Sequence, residues 1–388
     1  MAWLGTWKKR RKITVDKTKI DAALTAFPVL LKLGESVGLG SKDVRSIFTE
    51  VGASSKKIAI TKTDGTTEIY AEIERWDNTN KLAEIWVSKS DLSIASDADT
   101  DLYIYYDSTK DDNTDYIGET QSTPAKLVWD SNFKFRSDMK DKTTSTIEDS
   151  TSNANHGDKL AANRPIQADG KIAKAQKTTA ANDVISVGDD ASIAELFKGG
   201  GSVSFWVRLD SYEGKSGSTS GYARMLDQHK LVSSVSYGWE FVVTNVANNN
   251  LWFRHRFSTT AGAWGLDDDD GNVFGEEAIF HVVLTYNSDS TANVPKIYTN
   301  GVERSWDSTT NPAGSARHSE LLRIFNEEGG IRTLDGWMDE VQVSSVIRPA
   351  AWIKAEYNAG NDSLITWGDE ESATPTEKVG PFPTFFRQ

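Results

Sequence analysis

The chain of 388 residues contains no cysteine. That excludes disulfide staples, thiol nucleophiles and thiolate metal centres at once. It has no apolar run near the ~18 residues of a membrane-spanning helix. Histidine is scarce as well: the five residues at 156, 229, 255, 281 and 318 show no metal-ligand spacing. Positive charge is in deficit, with a formal net charge of −13, so nonspecific binding to nucleic acid is disfavoured by repulsion from the phosphates. The positive charges of Lys8–Lys12 follow the opening Met1–Trp7 rather than preceding an apolar stretch. That order does not suit a signal peptide, and the expected place of synthesis and folding is the cytosol.

What is present is aromatic alternation. Thirteen tryptophans stand among short runs in which apolar and polar residues alternate. In Ser202–Asp210, residues Val203, Phe205, Val207 and Leu209 share one face, and Ser204, Trp206, Arg208 and Asp210 the other. Period two is the signature of a half-buried strand, and many such runs separated by turns predict an all-β protein. At this length two domains are expected. Residues 1–118 read as an antiparallel β-sandwich. Its inward sets are Ile69, Ala71, Ile73; Ala83, Ile85, Val87; and Leu102, Ile104, Tyr106, with a hairpin turn at Asp64-Gly65. The polar segment 119–126 reads as a linker. Residues 127–368 form the second sandwich, with a hairpin at Asn300-Gly301 and a short helix near Pro349–Tyr357. Residues 369–388 read as an extended tail.

Trp7–Val15, Phe27–Leu31, Glu72–Asp77, Ile85–Val87 and Tyr103–Asp107 resemble a prokaryotic β-domain of unknown function that commonly precedes a jelly roll. The second half is similar to that jelly roll, of the concanavalin A-like, laminin-G-like kind, at Glu148–Gly157, Asp183–Val187, Phe205–Val207, His281–Tyr286, Ile297–Gly301 and Asp335–Val343. The pairing occurs in secreted prokaryotic proteins and in phage virion proteins. The resemblance is strongest to the phage kind, which implies a structural role in a capsid decoration, head fibre or tail. Expected partners are other virion proteins, further copies of this chain in the particle, and host surface glycan.

Concanavalin A-like folds include glycosidases, which need two carboxylates converging on one cleft. Met338-Asp339-Glu340-Val341 offers neighbours that should point to opposite faces, and Glu72 with Glu74 reads as a solvated sheet face. No catalytic set is expected. In register with Trp337, Val341 and Val343, Asp339 should point inward. The resemblance implies a calcium site at the jelly-roll rim from Asp149, Asn155 and Asp339, in keeping with the oxygen ligands calcium prefers. The run Asp267–Asn272 lacks the spacing of an EF-hand and reads as a solvated turn. His255 alternates with Phe253 and Phe257 and reads as a core residue. Trp252, Trp264, Trp306, Tyr212 and Tyr222 are candidates for stacking on sugar. Trp3, Trp7, Lys8, Lys9, Arg10 and Arg11, with the tail aromatics Phe382, Phe385 and Phe386, are candidates for attachment to a particle. The competing functions are a non-enzymatic virion protein, a secreted or surface carbohydrate-binding protein, and a glycan-cleaving enzyme.

Overall fold

A computed structural model describes residues 2–162, 164–188, 191–219, 221–245, 250–267, 274–319 and 321–373. The regular structure of the described residues is mostly strand, arranged in three large, mainly antiparallel sheets. The first runs in the order Val29–Leu33, Leu82–Ser88, Glu68–Asp77, Ile58–Thr61, Thr100–Tyr106, Lys9–Val15, Ile365–Ser372. Its long strand Glu68–Asp77 pairs at its start with Ile58–Thr61 and thereafter with Leu82–Ser88, so both halves of the sheet serve one core. Ile13, Val15, Leu102 and Ile104 from one half and Val29, Leu31, Ile85 and Val87 from the other are all buried there.

The other two sheets face each other as a jelly roll. The inner faces contribute Phe205, Val207, Val282, Leu284, Tyr286, Val341 and Val343 from one sheet and Phe241, Phe253, Trp264 and Ile324 from the other. Arg208 and Asp210, expected in water, are half-buried and joined to each other. Asn300 and Gly301 both have positive φ, 51° and 77°, the geometry of the two-residue turn their sequence predicts.

The domain limits differ from the sequence reading in three places. The strand Ile117–Glu119, paired in parallel with Ala71–Ile73, runs into the expected linker at Glu119, and the linker itself holds a turn of helix, Thr123–Lys126, capped by Ser122. Past it, Trp129 and Phe133 still belong to the first core. At the other end, the strand Ile365–Ser372 crosses the expected boundary at 368/369 and belongs to neither the jelly roll nor a tail: it pairs along the whole of Lys9–Val15. The chain therefore begins and ends its described course in one sheet, with the jelly roll inserted between.

Helix Ala350–Gly360, with Pro349 as its N-cap, wedges the two units together. Trp352, Ala355 and Ala359 enter the first core, while Ile353 packs on Val283 and Tyr298 of the jelly roll and Tyr357 stacks on Trp206. At the base of the wedge, Arg348 lies over Phe133 and Trp352, 4.4 and 4.1 Å from their centroids, and grips both oxygens of Asp130.

Between the units lies a buried charged cluster. Arg136 is fully buried and donates to Glu74 at 3.0 Å and to Glu340, with Glu72 3.8 Å away. Its guanidinium lies 4.6 Å from the ring of Trp129 and 5.3 Å from that of Trp86. Those indoles donate in turn to Glu72 and Glu74. Glu72 and Glu74 are thus not on a solvated face but at the seam, because the outer face of the first sheet is covered by the second unit.

The Asp339 expectation fails for a physical reason. Ser204 pairs with Gln342 and Trp206 with Asp339, so two residues on one strand span three on the other. Glu340, at φ 52°, takes up the extra residue. The bulge shifts the alternation: Met338, Val341 and Val343 face the core, and Asp339 and Glu340 both leave it for the seam. Burial pushes both carboxyls well above the ordinary carboxylate range, reinforced by Glu74.

The N-terminal attachment residues are also consumed by the fold. Lys9–Val15 is an interior strand, not an edge. Arg10 is buried between the rings of Trp3 and Tyr103, each 4.4 Å away, and pairs with Glu371. Arg11 is buried against Gly368 and Ser46, Lys9 reaches Glu50 and Glu370, and Trp7 packs on Tyr105. Lys8 alone of the basic run is mostly exposed. Phe382, Phe385 and Phe386 lie outside the described residues.

His255 is a core residue as expected, enclosed by Phe197, Phe253, Phe257 and Tyr286. Burial, with His318 nearby, pushes its pKa down from 6.5 to about 3. Its stabilising contribution is fully present above pH 6.5 and is lost as pH falls toward 3, because the unfolded chain binds the proton more readily. Across that window the stability gap between wild type and His255→Phe should change in the variant's favour by ~1.4 kcal/mol per pH unit as pH falls. Urea unfolding at a series of pH values measures this; parallel pH profiles would contradict it.

Candidate functional site on the outer sheet face

Of the two jelly-roll sheets, one has its outer face occupied. Trp206, His281, Ser204 and Trp337 on that face meet the helix Ala350–Gly360 and its surroundings. The opposite sheet carries a groove of about 430 Å³ on its outer face. Its floor comes from three paired strands, Ala223–Asp227, Trp239–Val243 and Leu251–His255.

Alternation builds the floor. Trp239, Phe241 and Val243 point into the core, so Glu240 and Val242 point out; Leu251, Phe253 and His255 point in, so Trp252 and Arg254 point out. Arg224 pairs with Val242 and Leu226 with Phe241, two steps against one, so Met225 is a bulge residue. Both Met225 and Leu226 then reach the core, and Arg224 and Asp227 are left on the outer side, joined at 3.2 Å.

An aromatic and cationic row crosses the groove. Tyr222 and Trp252 lie 6.1 Å apart at 36°, with Arg332 5.4 Å from the tyrosine ring and Arg254 5.9 Å from the indole. Beneath it Glu240 ties the cations together, meeting Arg224 at 2.7 Å and Arg256 at 2.8 Å. Although burial opposes ionisation, Arg224 and Arg256 hold the Glu240 carboxyl below its usual range. Glu327 meets Arg224 and Arg332 at 3.2 and 3.4 Å. Burial lowers the pKa of His229, which also lines the groove, so it is neutral at physiological pH. A glutamate pinned as an anion by arginines is poorly suited to donate a proton. The arrangement suits binding: flat π-faces flanked by fixed hydrogen-bond donors.

The sugar-stacking candidates divide. Trp252, on the strand Leu251–His255, and Tyr222, in the loop just before Ala223–Asp227, come together half-buried in the groove. Trp264 is fully buried, stacked on Phe253 at 5.8 Å, and is corrected to a core residue. Tyr212 packs against the core and donates its hydroxyl to Phe274, so it is a support residue. Trp306 donates to the Pro295 carbonyl and lines a separate cleft with Lys296, Glu303 and Arg304.

The proposed calcium ligands are not assembled. Asp149 and Asn155 are adjacent, but the Asp149 carboxylate takes the backbone N–H groups of Arg136, Thr151 and Asn155 and the Thr151 hydroxyl. The Asn155 amide is spent on Lys134 and Ser192. Asp339 sits at the seam, receiving the Ile172 N–H. Among the described residues no three His, Cys, Asp or Glu side chains are grouped to hold a metal ion. Asp149 organises a loop by backbone capture. Of the Asp267–Asn272 run, residues 268–272 lie outside the described residues.

Sequence reasoning missed Arg224, Arg254, Arg256, Arg332, Glu240 and Glu327. The signal for part of the set was in Trp252–Phe257: with Phe253, His255 and Phe257 inward, Trp252, Arg254 and Arg256 must share the outer face.

Residues 179–354 match a family model described as the concanavalin A-like lectin/glucanases superfamily, Laminin_G_3. That stretch of the chain is a concanavalin A-like domain. Similar solved structures include the binding domain of Paraclostridial Mosquitocidal Protein 1, at 14% identity and TM-score 0.43 over 59% of this chain and 52% of that one. The botulinum neurotoxin serotype D binding domain matches at 14% identity and TM-score 0.43 over 58% and 51%. The serotype D ligand binding domain in complex with N-acetylneuraminic acid matches at 13% and 0.43 over 58% and 50%. The chain spans about half the length of these structures. No curated protein matches it.

Removing the shared anion should show how far the groove depends on its charge network. Glu240→Gln leaves Arg224 and Arg256 without their principal partner in a buried setting, which typically costs about 3–5 kcal/mol. Urea denaturation should register a loss of that order, and a change under 1 kcal/mol would contradict the reading.

Proposed function

We propose that this protein is a non-enzymatic carbohydrate-binding component of a phage particle, with the groove between Tyr222, Trp252 and Arg254 as its glycan site. One observation carries the binding part: a groove on the one jelly-roll sheet whose outer face is not packed against the first unit, floored by two adjacent aromatic rings and ringed by arginines. A pyranose ring lays its C–H face on such rings, while its hydroxyls accept from fixed guanidinium donors. The match of residues 179–354 to a lectin/glucanase superfamily supports the same class of ligand.

The virion part rests on the resemblance of the paired domains and on charge. A chain of net charge −13 keeps neighbouring copies apart while displayed at high density. The first unit carries both ends of the described chain, with the last strand at Ile365–Ser372. Phe382, Phe385 and Phe386, which lie outside the described residues, are the remaining candidates for attachment. Host glycan and other virion proteins are the proposed partners, with several copies per particle.

Binding of the purified protein to immobilised glycans tests the site. Trp252→Ala should weaken binding by about tenfold to a hundredfold, the loss of ~1.4–2.8 kcal/mol, without abolishing the folded state. Retained affinity in the variant would remove the groove from the account. Release of reducing ends from a bound polysaccharide would overturn the non-enzymatic reading.

A further inference from the structure

We infer that the groove selects acidic sugars, with Arg254 gripping a carboxylate beside the stacking face of Trp252; this rests on the glycan-binding reading above. The groove is positive in a negative protein: Arg224, Arg254, Arg256 and Arg332 line it against Glu240 and Glu327. The four cations are not equivalent. Arg224 is buried and held by Glu240, Glu327 and Asp227. Arg256 is tied to Glu240 and Arg332 to Glu327. Arg254 approaches Glu240 only at 3.8 Å and has no side-chain hydrogen bond among the described residues. Its side chain is 39% exposed, so its fork is open to the groove.

The chemistry of that fork determines the ligand. A guanidinium presents two parallel N–H donors matched to a planar carboxylate, and a bidentate pair of this kind is both strong and directional. Arg254 lies over the indole of Trp252. A sugar ring seated on Trp252 and Tyr222 therefore brings a ring-borne carboxylate within reach of Arg254. The sialic acids and the uronic acids both offer a carboxylate on a pyranose; sulfated sugars offer an anion of tetrahedral shape, which fits the planar fork less well.

Glycan binding in matched sets separates these possibilities. The probes are a neutral galactose-terminated oligosaccharide, the same oligosaccharide capped with N-acetylneuraminic acid, a glucuronate-terminated counterpart and a sulfated counterpart. The carboxylated pair should bind at least tenfold more tightly than the neutral probe, with the preference shrinking as salt rises. Arg254→Ala should remove that preference, so that carboxylated and neutral probes bind the variant alike, whereas Trp252→Ala should weaken every probe while keeping the ratio between them. Sialylated against glucuronate probes identify which acid is preferred, and tighter binding of either supports the inference. Equal binding of neutral and carboxylated probes, a sulfated probe that binds best, or a preference that survives in Arg254→Ala would each overturn it while leaving glycan binding itself intact. No binding to any probe would remove the underlying reading instead.

Discussion

Arg136 is the residue on which the arrangement of this molecule depends. A guanidinium with no exposure must be paired, and its partners come from both units: Glu72 and Glu74 from the first sheet, Glu340 from the jelly roll. The indoles of Trp86 and Trp129 cover it and also donate to two of those carboxylates. Such a cluster gains little over well-packed apolar residues, but breaking it strands several charges in a buried seam. It therefore fixes how the two β units meet more than it adds to their stability. Glu340 reaches the seam only because a bulge turns it out of the jelly-roll core.

The seam has a consequence for the site. By covering one outer sheet face with the first unit and with helix Ala350–Gly360, it leaves the opposite sheet as the face the jelly roll presents. A second bulge, at Met225, then places Arg224 and Asp227 on that face. Both devices use the same physics: one extra residue moves every later side chain to the other side of the sheet.

This explains what the sequence disclosed and what it concealed. Strands, core faces, two hairpin turns and the concanavalin A-like domain were legible because period-two alternation and turn chemistry are local. Phe205, Val207, Leu284 and Val343 lie where alternation puts them. Asp339 did not, because alternation counted across an unseen bulge gives the wrong side. Glu72 and Glu74 read as solvated because their partner, Arg136, lies more than sixty residues away in the chain. The final strand was hidden for the same reason: Ile365–Ser372 becomes a strand by pairing with Lys9–Val15, a contact between the two ends of the chain. Trp252 was singled out for its chemistry, but Arg254, two residues on, was passed over although the same pattern places them side by side.

Scanning calorimetry of Arg136→Met at neutral pH tests the claim that one buried arginine makes the two units a single body. With Glu72, Glu74 and Glu340 left facing each other without their shared cation, the seam should open, and the single cooperative transition expected of the native chain should split into two, the earlier one several degrees below it. One transition at the native temperature would show that the units are held together by something other than this cluster.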